Sequence, residues 1–168
     1  IDDFRDFFKP EKNSTEFNVE DVIEDSISLL EGIFNSHDIH IDRDFEPDIK
    51  AVGYPNEFSQ AILNILNNAK DAMVEKRVSS KKIYIKLFKD EESVNISIED
   101  TGGGIPEDII DKIFNPYFST KENTEGTGIG LYMTRSIITD HMHGCVRIEN
   151  SDRGAVFTVK LPLTQSEE

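Results

Sequence analysis

Apolar residues recur at helical spacing in some stretches of the chain and alternate with polar ones in others. Ile1, Phe4, Phe7 and Phe8 share one side of a helix that Pro10 ends. A helix this short is marginal in water, so the opening reads as the end of a longer one. Residues 11–16 are polar and read as a linker. A short strand is predicted over 17–19, then a helix with Val22, Ile23, Ile27, Leu30, Ile33 and Phe34 on one side. Ile39, Ile41 and Phe45 mark a half-buried strand. A second helix is predicted over 55–78, strands over 83–88 and 94–99, a Gly-rich segment over 101–130, a helix over 130–143, and strands over 146–150 and 155–161. Neighbouring strand pairs in a mixed α/β order predict a mainly antiparallel sheet with helices on one face.

The helix over 55–78 has two faces. Phe58, Ala61, Ile62, Ile65, Leu66, Ala69, Ala72 and Met73 form the apolar one. Gln60, Asn64, Asn67, Asn68 and Asp71 gather on the other, within roughly a 100° arc. A solvated face would account for the polarity, but such faces favour Lys, Glu and Gln, the better helix formers. A stripe of Asn offers neutral carbonyl oxygens, which suit a hard cation such as Mg²⁺.

Val94, Ile96 and Ile98 alternate up to Asp100, and Thr101-Gly102-Gly103-Gly104-Ile105-Pro106 follows. Consecutive glycines after a strand permit positive φ and close approach of a ligand, and an Asp at the strand end can accept from a ligand amine. A plain turn is the alternative reading of this piece alone. Gly126-Thr127-Gly128-Ile129-Gly130-Leu131 runs into the next helix, where free N–H groups would suit phosphate. It is no Walker loop, having no Gly-Lys-Ser/Thr, and no Rossmann turn, since no strand precedes it. Between the two lies Ile113-Phe114-Asn115-Pro116-Tyr117-Phe118-Ser119-Thr120-Lys121, aromatic residues in a Gly-bounded loop that suit a lid.

Charge limits the ligand. The 168 residues carry a formal charge of −15, which argues against gripping nucleic acid or an anionic membrane but leaves a small anion possible at a local site. The single Cys145 cannot form an internal disulfide, which fits a reducing, cytoplasmic compartment. No run approaches ~20 apolar residues, as a membrane span requires. The chain opens on Ile rather than Met, so it reads as part of a longer protein, in which a membrane anchor remains open. His37, His40, His141 and His143 match no acceptor motif and read as surface or packing residues. Arg135 reads as a surface ion-pair residue and Cys145 as a small hydrophobe.

Taken in order, four pieces resemble the N, G1, F and G2 boxes of the ATP-binding catalytic domain of sensor histidine kinases, and are most similar to the nitrogen-regulation type. They are Gln60…Asn64-Ile65-Leu66-Asn67-Asn68-Ala69-Lys70-Asp71-Ala72, Asp100 to Ile105, Phe114 to Lys121, and Gly126 to Leu131. The resemblance implies a two-layer α/β sandwich of the Bergerat type with a mobile ATP lid over residues 13–168, after a remnant of the dimerisation and phosphoacceptor hairpin over 1–12. It implies ATP and Mg²⁺ as ligands. Asn68 would ligate the metal, Asp100 would accept from the adenine amine, and Gly102 and Gly104 would admit the base. Gly126, Gly128 and Gly130 would meet the phosphates, with Ile105, Thr127 and Leu131 in the same boxes. Tyr117 and Phe118 would dock the lid, Lys121 would reach the γ-phosphate, and Asn64 would face that phosphate or a water. Relatives that hydrolyse ATP carry Glu where Asn64 stands; Asn is no base at neutral pH, so phosphoryl transfer rather than hydrolysis is implied. The implied partners are a His on the missing hairpin, a response-regulator Asp and a second copy of the whole protein, with no nucleic acid and no membrane contact. A non-catalytic nucleotide-sensing scaffold and a protein-serine kinase of the same fold are the alternatives.

Overall fold

A computed structural model of the chain describes residues 13–116 and 130–163. The helix expected over the first residues lies outside these. The described chain runs β1 (Thr15–Asn18), α1 (Val19–Ser36), β2 (Ile39–Phe45), β3 (Lys50–Gly53), α2 (Pro55–Glu75), β4 (Lys81–Lys89) and β5 (Ser93–Asp100). A 3₁₀ turn (Ile110–Lys112) follows. Then come α3 (Gly130–Arg135, continuing as a π-helical turn, Ser136–His141), β6 (Cys145–Asn150) and β7 (Ala155–Pro162).

Each element has a local cause. Asn18 caps α1, its Oδ1 accepting from the Asp21 N–H at 3.1 Å, and Glu20 and Asp21 add negative charge to the first turn. Pro55 opens α2, where its missing N–H costs nothing. Asp90 shapes the β4–β5 turn. The N–H groups of Glu92 and Ser93 bond to its Oδ1 and pull its pKa down to about 2.

The main sheet has the order β2-β4-β5-β7-β6, antiparallel throughout except for the parallel β2–β4 pair. One parallel pair in an otherwise antiparallel sheet agrees with the mainly antiparallel sheet expected. β3 and α2 intervene between β2 and β4, and a crossover of that length delivers the next strand in the same direction. A small second sheet pairs β1 with β3 antiparallel. Sequence patterning missed β3, because four residues ending in Gly show no usable alternation. It also placed the first strand late: β1 takes in Thr15 and Glu16, which read as linker.

Alternate residues of the sheet face the helices. Ile83, Ile85 and Leu87 of β4, Val94, Ile96 and Ile98 of β5, and Phe157, Val159 and Leu161 of β7 are buried, in matching register. Against them lies the apolar face of α2, with Phe58, Ala61, Ile62, Ile65, Leu66, Ala69 and Met73 essentially sealed from water. The last helix departs from a plain α-helix at Ser136. The Met142 N–H reaches back five residues to the Ile137 carbonyl at 3.0 Å, and His143 leaves the helix at φ 60°. The Glu57 carboxylate ties its end to the start of α2 by a 2.7 Å contact with His141 Nδ1.

Candidate functional site

Asp100 closes β5 and continues its inward-facing row after Ile98, so its carboxylate sits among helices rather than in solvent. It is 2% exposed. Its Oδ1 accepts from the Gly102 N–H at 2.8 Å and the Ala155 N–H at 3.3 Å. Burial pushes the pKa above the ordinary carboxylate range; the two N–H groups, and then the charge of Lys76, act in the opposite direction. Both hydrogen bonds fall on one oxygen. No buried side-chain oxygen among the described residues lacks a partner. Oδ2, which has no partner, therefore keeps a contact with solvent, where it can accept from a ligand.

Glycines make this arrangement possible. A Cβ on Gly154 would stand 2.5 Å from Asp100 Oδ1 and 2.9 Å from Gly102 N, and closer still to the Asp100 carbonyl. A Cβ on Gly102 would meet Ala72 of α2 at 3.1 Å, so the loop after β5 lies directly on that helix. Gly103 and Gly104 take φ of 87° and 89°, the left-handed region that favours glycine. Lys76, just past α2, donates to the Gly104 carbonyl at 2.8 Å. Asn150, the last residue of β6, bonds both the N–H and the carbonyl of Ile105, each at 2.8 Å.

The polar stripe of α2 meets α3 at Asn64. Gln60, Asn64, Asn67, Asn68 and Asp71 are all half-buried, so a freely solvated face does not describe them. Asn64 Nδ2 donates to the Gly130 carbonyl at 3.0 Å and to Thr134 Oγ1 at 3.2 Å, while the Thr134 hydroxyl donates to the same carbonyl at 3.0 Å. A carbonyl only accepts, which fixes the amide orientation and leaves Asn64 Oδ1 as its remaining group. The start of α3, at Gly130 and Leu131, is thus pinned to α2 one turn before Asn68. Lys70 stands 3.1 Å from Asp71 and balances its charge.

Phe114 is buried edge-on against Phe157, with ring centroids 6.2 Å apart, which anchors the start of the aromatic loop in the core. The Arg135 guanidinium lies 5.8 Å from the centre of the Phe114 ring, a cation–π contact where sequence suggested a surface ion pair. Tyr117, Phe118, Lys121, Gly126, Thr127 and Gly128 lie outside the described residues. The structure thus sets Asn64 against Gly130 at the start of α3, and Asp100 with Gly102 against Ala72, two turns further along α2.

The donor set suits a nucleotide with its metal. An unpartnered carboxylate oxygen matches an exocyclic amine, and Asn oxygens match a hard cation that keeps water and phosphate ligands. Among the described residues no group of three or more His, Cys, Asp or Glu gathers, so the cation would take few side-chain ligands here. Sequence reasoning missed Lys76, Thr134, Asn150 and the special need for Gly154. Thr134 gave one signal, a hydroxyl beside Met133, Ile137 and Ile138 on an apolar helix face. The others act from outside the motifs on backbone atoms, which leave no pattern.

The sequence profile of the histidine kinase-, DNA gyrase B- and HSP90-like ATPases matches residues 53–165. The chain belongs to this family, as a catalytic domain of the sensor histidine kinase type. Sporulation kinase A of Bacillus subtilis (strain 168) is 32% identical over 158 residues, covering 92% of this chain and 25% of that protein. Sensor histidine kinase ZraS of Escherichia coli (strain K12) is 34% identical over 146 residues, covering 84% of this chain and 30% of that protein. The chain therefore spans about a quarter to a third of these relatives. The catalytic domain of histidine kinase ThkA superposes with a TM-score of 0.80 at 31% identity, over 91% of this chain and 97% of that one.

Proposed function

We propose that this domain binds Mg·ATP and presents the γ-phosphoryl to a His on a dimerisation hairpin of the same protein, from which it passes to an Asp of a response regulator. The observation that carries the reading is Asp100, held by Oδ1 with Oδ2 open, one loop away from the Asn stripe of α2. In this reading Oδ2 accepts from the adenine amine, and Gly102, Gly104 and Ile105 form the rim against the base. Asn68 holds the Mg²⁺, which would supply charge neutralisation for the phosphates. Asn64 keeps the start of α3 beside Asn68 and directs Oδ1 towards the phosphate side. Gly126, Thr127, Gly128, Gly130 and Leu131 supply the phosphate-binding turn. Tyr117 and Phe118 dock the lid, and Lys121 meets the γ-phosphate. Positioning and electrostatics account for the catalysis, and Asn64 cannot activate water. Histidine kinase ThkA has been captured with response regulator TrrA, and that complex, covering 92% of this chain at 28% identity, supports a regulator as partner.

The test joins this chain to its upstream hairpin and supplies labelled ATP. Acid-labile, base-stable phosphate on a His is expected; acid-stable phosphate on Ser would favour the serine-kinase alternative, and none at all a scaffold. The chain alone should bind ATP with little turnover and lose affinity when Mg²⁺ is chelated. Vigorous hydrolysis would overturn the role given to Asn64. Asp100→Asn should weaken ATP binding, and unchanged affinity in calorimetry would remove the adenine contact.

A further inference from the structure

We propose that Asn150 is a positioning residue for adenine recognition, acting through Ile105 and Gly104; this rests on the nucleotide reading of the Asp100 site. The Asn150 carboxamide exchanges two hydrogen bonds with one residue, accepting from the Ile105 N–H and donating to the Ile105 carbonyl, both at 2.8 Å. That is the pattern by which one strand residue grips its antiparallel neighbour, here supplied by a side chain. Asn150 ends β6 and pairs its backbone with Ala155 of β7, so it belongs to the rigid sheet edge. Its side chain reaches past the start of β7 to the loop that leaves β5.

The clamp also explains Gly104. A Cβ there would stand 2.8 Å from Asn150 Oδ1 and 3.1 Å from its Cγ, so the carboxamide lies flush against a glycine that holds φ at 89°. Two further contacts hold the same loop. Lys76 grips the Gly104 carbonyl at 2.8 Å, and the Gly103 N–H reaches the Arg153 carbonyl at 3.3 Å. Of these three contacts on the loop, the Asn150 one holds both polar groups of a single residue. Ile105 packs against the core, so the clamp sets where the loop backbone stands relative to Asp100. Without it the rim samples other conformations, and apparent affinity falls by the fraction of time the rim is correctly placed.

The experiment uses this chain with Mg²⁺ and ATP. Wild type, Asn150→Ala and Asn150→Asp are titrated by calorimetry, melted, and followed by amide hydrogen exchange. Asn150→Ala removes both bonds and should weaken ATP binding roughly tenfold. Asn150→Asp keeps the acceptor but sets a charge against the Ile105 carbonyl, so a loss of at least that size is expected, with the Ile105 N–H still protected. In Asn150→Ala the Ile105 N–H should exchange quickly while Ile96 and Ile98 stay protected. The side chain is exposed, so both variants should melt close to wild type. Released Ile105 exchange with unchanged ATP affinity would make the clamp structural only and overturn the proposal. A loss of affinity that merely tracks a lowered melting point would overturn it too. If wild type fails to bind ATP, the nucleotide reading falls and this proposal with it. The exchange data identify that case, because they report the clamp without any ligand.

Discussion

Gly154→Ala puts the Asp100 geometry under direct test. The new methyl would enter space filled by Asp100 Oδ1 at 2.5 Å, Gly102 N at 2.9 Å and the Asp100 carbonyl, where ordinary contact needs more than 3.4 Å. Two of these obstacles are backbone atoms at the end of a central strand and cannot rotate away. The third is the carboxylate oxygen that accepts from Gly102 and Ala155. Overpacking costs about 1–3 kcal/mol, and losing a hydrogen bond to a charged group about 1.5–3 kcal/mol. Together they give about 2.5–6 kcal/mol, a large share of the stability of one domain. At about 2–4 °C per kcal/mol for this size, the melting point should fall by about 10 °C. ATP affinity should fall as well, because displaced Oδ1 carries Oδ2 with it. Scanning calorimetry gives the first quantity and isothermal titration the second. Gly32→Ala is the control: it lies within α1, has nothing within 4 Å of the added methyl, and should gain about 0.5–1 kcal/mol. If Gly154→Ala melts with wild type and binds ATP equally well, the close packing around Asp100 carries no such weight and the reasoning fails.

Further outcomes follow from the same geometry. The folded pKa of Asp100 lies above its unfolded value, so its contribution to stability is complete at pH below the unfolded value and lost as pH rises through the folded one. Unliganded stability should therefore decline across that window while ATP affinity rises, as the carboxylate becomes able to accept; an affinity flat across it would contradict the contact. Lys76→Met removes the charge that opposes the shift, so the midpoint of that affinity profile should move to higher pH, and an unmoved midpoint would count against the Lys76 effect. Thr134→Val keeps the shape of a fully buried side chain but takes away one partner of Asn64 and one of the Gly130 carbonyl, so a loss of about 1–2 kcal/mol is expected in denaturant unfolding, with Thr134→Ser recovering most of it.

Much of this was legible from residue order. Alternation marked β4, β5 and β7, whose inward rows are apolar on every second residue, and the wheel of α2 separated a sealed face from an Asn stripe. Asp100 could be singled out because it ends an alternating strand and is followed at once by Thr101 and three glycines. Other features were beyond reach. β3 is too short to show a period. The direction of β2 depends on what lies between it and β4, not on its own residues. Lys76 and Asn150 bond to backbone carbonyls and N–H groups, which every residue carries, so nothing in the sequence marks their partners. Thr134 showed its polarity but not its target, which lies 70 positions away at Asn64.

The parallel edge strand has a consequence for how much of the chain can stand alone. The nucleotide-binding family profile begins at Gly53, yet β2 ends at Phe45 and supplies the neighbour of β4 along Ile39–Phe45. A protein trimmed to residues 53–165 would keep every proposed ligand contact and lose β1, α1, β2 and all of β3 but Gly53. The N–H and carbonyl groups along one side of β4 would then be unpaired, next to Ile83, Ile85 and Leu87, and the core would lose Ile23, Phe34, Ile39 and Ile49. An open strand of that composition templates pairing with other copies of itself. Such a trimmed chain should aggregate when expressed, with its proposed ligand contacts intact: the stretch that carries those contacts is shorter than the stretch that covers the edge of β4.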